Sequence, residues 1–125
     1  MYNVEYILSH LLTEPTIQLY RVTYDDVGIY QALKTHIGYT KWKELKDDPR
    51  ISWLPLPKVE HYGKKYTSYF TQVGYDKFMD ISLVVIEQYL DQDKIAIHGT
   101  GYRQSSIQDH LVYQDEYQVV TDRKL

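Results

Sequence analysis

Cysteine is absent from the 125 residues, which excludes disulfide bridges, thiol chemistry and cysteine-held zinc or iron–sulfur centres. Long apolar runs are missing too. The longest, Leu83 to Ile86, is a small part of the roughly 20 residues that a membrane helix requires. The opening stretch MYNVEYILSHLL shows neither the basic start nor the small-residue cleavage site of a signal peptide. No sign of charge dominates: 14 Lys+Arg stand against 17 Asp+Glu, a net charge of −3. A mildly acidic chain does not release counterions from nucleic acid, so nucleic-acid binding is not expected. A cytoplasmic protein that does not enter membranes follows as the expectation, with oligomeric state left open.

Phe and Trp are scarce, at 2 each, while Tyr reaches 14. Fourteen phenol rings cannot all enter the core of a chain this short, because each hydroxyl needs a partner when buried. Two readings stand side by side. Tyr either replaces Phe in a core with half-exposed rings on strands, or it gathers into a binding face, where it is enriched. With 43% hydrophobic and 25% charged residues the composition is that of a globular domain, and the length fits one domain over 1–125.

Apolar spacing predicts the elements. Val4, Ile7, Leu8, Leu11 and Leu12 recur at helical intervals behind Asn3, giving a helix over 3–12. TIQLYRVTY (16–24) reads as a strand. Asp25 and Asp26 are expected to cap a second helix with Val27, Tyr30, Leu33 and Ile37 inward, ending at Gly38, and Thr40 to open a third through Trp42 and Leu45. Residues 47–63 hold three of the four prolines and read as an extended loop pinned by Trp53, Leu54 and Leu56. A strand over 65–71, a central helix over 75–91 buried on more than one side, a strand over 94–102 and a final strand over 111–120 complete the chain. In that last strand Leu111, Tyr113, Tyr117 and Val119 alternate with Gln114, Glu116 and Gln118. The predicted fold is α+β, a mostly antiparallel sheet of about four strands against three to four helices.

Few residues carry a chemical signature. The five histidines, His10, His36, His61, His98 and His110, show no i, i+4 pair, so no metal site is predicted. GxSxG and SxxK nucleophile patterns are absent, and Asp115 and Glu116 are adjacent, so on a strand they point to opposite sides. HGTGYRQSS (98–106) exposes backbone N–H groups at two glycines, and Arg103 beside them can fork onto a phosphate or carboxylate. A glycine-rich hairpin between strands accounts for the same residues.

The order of three segments resembles the mono-ADP-ribosyltransferases: Arg21 in LYRVTY, Ser68 and Thr71 in YTSYFTQVGYDKF, and Glu116 in VYQDEYQVV. That resemblance implies NAD as cosubstrate, with Arg21 on its phosphates, Ser68 supporting the nicotinamide pocket and Glu116 steadying the oxocarbenium-like sugar. SYFT replaces the family's Ser-Thr-Ser, and His98-Gly99-Thr100 stands before the glutamate strand instead of near the start. In overall style, with GIYQALK, WLPLP, SYFT and GYDKF, the chain is also similar to small accessory proteins of phages and mobile elements. This likeness implies a non-enzymatic protein, without cofactor, that binds or inhibits a host protein through a tyrosine-rich, mildly acidic surface. The candidate binding residues are Trp53, Tyr69, Tyr102 and Arg103, with Asp47 and Asp48 supplying acid; Arg21, Ser68 and Glu116 are the catalytic candidates of the transferase alternative.

Overall fold

The computed structural model describes residues 14–55 and 66–125. The helix expected over 3–12, residues 56–63 of the proline-rich stretch and the first residue of the strand expected over 65–71 lie outside the described residues. Within them the chain is α+β, as expected, but the sheet has six strands rather than about four.

Strand β1 (Thr16–Tyr24) is its spine. Strand β4 (Ile95–Arg103) pairs with β1 along all nine residues, from Thr16↔Arg103 to Tyr24↔Ile95. Tyr20 of β1 pairs with Phe70 of β3 (Thr67–Phe70). Strand β3 then pairs with β6 (Gln118–Thr121), and β6 with β5 (Leu111–Gln114). Every pairing is antiparallel.

Asp25 and Asp26 do not cap a helix. They sit at φ 47° and 65° and turn β1 into the two-residue β2 (Val27–Gly28), with Tyr24↔Val27 and Thr23↔Gly28 in register. Two positive-φ residues are what a tight primed hairpin demands, and Asp tolerates that region better than most side chains. Helix α1 (Ile29–His36) starts behind Gly28 and buries Ile29, Ala32 and Leu33, leaving Val27 on the surface. Helix α2 (Tyr39–Leu45) follows as predicted.

The central helix begins at the Thr71 cap, earlier than expected, and breaks into three parts: α3 (Gln72–Lys77), a π turn (Phe78–Ser82) and α4 (Leu83–Ile86). It is buried on one side, through Phe78, Ser82, Val85 and Ile86, while Val73, Met79 and Val84 stay exposed. The wider π turn keeps Phe78 and Ser82 on the same side as Val85 and Ile86.

Two corrections concern the last quarter of the chain. HGTG lies inside β4, within the strand expected over 94–102, and forms neither an anion loop nor a hairpin turn, while QSSIQDH forms helix α5 (Gln104–His110). The final segment is two strands, not one. Asp115 folds it into a hairpin by accepting the backbone N–H groups of Tyr117 and Gln118, each at 2.8 Å. Glu116 therefore lies in the turn, where its carbonyl accepts the Thr71 hydroxyl at 2.6 Å.

Alternation along the strands gives the sheet two covered faces. On the first, Val22, Tyr24 and Phe70 pack with Leu33 of α1, Leu45 of α2, Ile51 and Leu54, and Phe78, Val85 and Ile86. On the second, Leu19, Tyr69 and Val119 pack with Ile107 of α5, flanked by Tyr102, Leu111 and Leu125.

Candidate binding cleft

A cleft of about 330 Å³ opens on the second face, beside that smaller cluster. Its floor follows from register. Arg21 stands opposite His98, Leu19 opposite Thr100 and Ile17 opposite Tyr102, so alternation brings Arg21, His98, Thr100 and Tyr102 to one side of the β1–β4 ribbon. Thr23 and Asp26 line one end, and Tyr69, Lys124 and Leu125 another part of the wall.

Among the described residues the Arg21 guanidinium is steadied by one hydrogen bond, Nη1 donating to the Ser68 carbonyl at 3.3 Å. Among the described residues no carboxylate lies within ion-pair distance of it. The Tyr69 ring meets Tyr102 edge-on, with centroids 5.8 Å apart. Burial pushes the Tyr69 phenol above its ordinary value, while the Leu125 N–H that it accepts at 2.9 Å and the charge of Arg21 pull the other way. Lys124 is held beside the cleft because its neighbours are tied down. Thr121 donates to the Arg123 carbonyl at 2.6 Å, and Asp122 N–H to the His110 carbonyl at 2.9 Å.

Three sequence candidates thus converge: Arg21, Tyr69 and Tyr102 line one cleft. The others do not join them. Ser68 turns its hydroxyl to the Gln118 side-chain oxygen at 3.0 Å, in a network that continues from Gln118 to the Trp53 and Leu54 carbonyls on the first face. Glu116 is exposed in the β5–β6 turn. Arg103 ends β4 one residue beyond Tyr102 and faces away from the cleft. Trp53 packs inward against Phe70 and Tyr117, its indole N–H donating to Ser82 at 2.9 Å and to the Arg50 carbonyl at 3.1 Å. Lys77 lies over the rings of Trp53 and Tyr117, 4.8 and 4.2 Å from their centroids. Asp48 is engaged by Arg50 at 2.7 Å.

No protein family, curated protein or solved structure matches the chain.

What sequence reading missed was the company Arg21 keeps. Thr23, Asp26 and Lys124 carried no signal of their own, and only the 16↔103 register joins His98 and Thr100 to Arg21. Among the described residues no group of three His, Asp or Glu side chains is arranged to hold a metal ion, and no helix is long and apolar enough to cross a membrane.

Proposed function

We propose that this chain is a binding protein with no chemistry of its own, and that the cleft on the second sheet face is where it binds. The convergence of Arg21, Tyr69 and Tyr102 on that cleft carries the reading. A guanidinium with no ion-pair partner among the described residues, next to phenol rings packed edge to face, supplies directional donors and an apolar wall, the mixture typical of small-molecule sites. At about 330 Å³ the cleft lies near the lower end of such sites, roughly 300–1,000 Å³. This favours a small molecule over the broad face that a partner protein would use, and Trp53, Asp47 and Asp48 form no such face with the tyrosines of the cleft.

Amide NMR shifts during a screen of small polar fragments test it. The expected result is perturbation gathered at residues 21, 69 and 98–102. Perturbations scattered elsewhere, or gathered around Trp53, would overturn the assignment.

The NAD-dependent transferase is the second reading, favoured by the position of Arg21 in a cleft. It requires Ser68 and Glu116 in the same place, and their side chains stand outside the cleft lining. Release of nicotinamide from NAD by the wild-type protein, abolished by Glu116→Gln, would establish it against the binding reading.

A further inference from the structure

We infer that the cleft takes a small molecule carrying an oxyanion, a phosphate ester or a carboxylate, seated on Arg21. This rests on the cleft being the binding site. The cleft lining holds the cationic side chains of Arg21 and Lys124, with Asp26 and Leu125 beside them. Arg21 and Lys124 stand in a concave site, where low-dielectric walls strengthen their pull on an arriving anion.

Donor chemistry points the same way. A guanidinium carries five N–H donors and no acceptor. Arg21 commits Nη1 to the Ser68 carbonyl at 3.3 Å, a long bond that orients the group and leaves the rest of the fork for a ligand. Thr100 and Tyr102 line the same space, and His98 stands directly opposite Arg21 on the neighbouring strand. Carboxylates and phosphates alike match a guanidinium through paired, charge-assisted hydrogen bonds. The Tyr69–Tyr102 edge leaves an apolar side for the body of the molecule.

A matched series tests this with the full chain: glycerol 3-phosphate, glycerate and glycerol, at constant ionic strength, read by thermal unfolding and by amide NMR. At least one of the two anions is expected to raise the melting temperature, by on the order of 5 °C at ten times its Kd, and to perturb the amides of residues 21 and 98–102. Glycerol should do neither. The better of the two anions identifies the source of the charge as phosphate or carboxylate. Arg21→Gln should weaken binding at least tenfold, while Arg103→Gln, outside the cleft, should leave it unchanged. Should Arg21→Gln not fold, Lys124→Gln with Tyr102→Phe serves in its place, with the same loss expected.

A shift from glycerol as large as that from the anions overturns the oxyanion assignment, as does anion binding that survives both sets of substitutions. If neutral fragments perturb the cleft amides while both anions do not, the charge class is wrong and the binding reading stands. If the anions perturb amides elsewhere and nothing perturbs the cleft, both fall.

Discussion

Trp53 shows how a side chain flagged for recognition is claimed by the fold. Its indole N–H reaches the Ser82 hydroxyl, which is fully buried and itself donates to the Arg50 carbonyl at 2.6 Å. Replacing Trp53 by Phe keeps a ring against Phe70 and Tyr117 but removes a donor from a buried oxygen, and should cost about 1–2 kcal/mol in urea unfolding. Gly74 is a second residue that the fold, rather than a ligand, explains. A Cβ there would drive into the Tyr117 carbonyl where α3 crosses the β5–β6 turn. Gly74→Ala should therefore lose about 3 kcal/mol, because backbone has to move. Gly28 has open space around its Cβ direction and φ −52°, so Gly28→Ala should stay within about 0.5 kcal/mol of the parent. Equal costs at the two glycines, measured by the same denaturation, would show that the close approach at Gly74 is wrong. Neither role was legible beforehand, since each depends on a partner that is distant along the chain.

At the scale of elements, the β5–β6 hairpin hangs on one carboxylate. Burial works against the charge of Asp115, but the hydroxyl of Tyr113 at 2.7 Å and the N–H groups of Gln118 and Tyr117 outweigh it and hold the carboxyl below its ordinary value of 3.8. A folded-state value below the unfolded one means that the contribution is complete above pH 4 or so and disappears as pH falls through the folded value. Asp115→Asn should thus be less stable than the parent by about 1 kcal/mol at pH 7, a figure kept small because the turn is exposed. The gap should close in urea midpoints taken below about pH 4; a gap that persists undiminished at pH 3 would assign the loss to geometry instead of charge. The same residue explains why the terminal segment misleads as sequence. Leu111, Tyr113, Tyr117 and Val119 keep period two straight through the turn, and only Asp115 breaks it. Helix α5 was illegible for a related reason: Ile107 is its one buried residue, so it has no apolar period to read. Strand β1, a run of β-branched and aromatic side chains, and helix α2, with Trp42 and Leu45 three residues apart, were readable from pattern alone.

Across the whole molecule, three strands hold both faces together. Strand β1 gives Leu19 to the second cluster and Val22 to the first; β3 gives Tyr69 and Phe70 in the same way. Strand β6 places Val119 in the second cluster, while Gln118 reaches the Trp53 and Leu54 carbonyls on the first face. The first face has many more buried apolar residues than the second, whose anchor from α5 is Ile107 alone. The sequence announces the first cluster through its helices, whereas the second, and the cleft beside it, arise from register and from one short helix; this is why the fold class was legible and the site only in part. Shared strands also dictate how the molecule fails. Ile107→Ala opens a cavity in the smaller cluster and should cost roughly 2–4 kcal/mol. If the strands couple the faces, that loss cannot stay local. Fluorescence of Trp42 and Trp53, which both report the first face, and amide exchange at residues 19, 69 and 119, which reports the second, should move together in urea by the same free energy. A variant in which the amides of residues 19, 69 and 119 open while the tryptophan transition stays at the parent midpoint would mean that the second face unfolds on its own, and that the cleft sits on a separable layer instead of the common sheet.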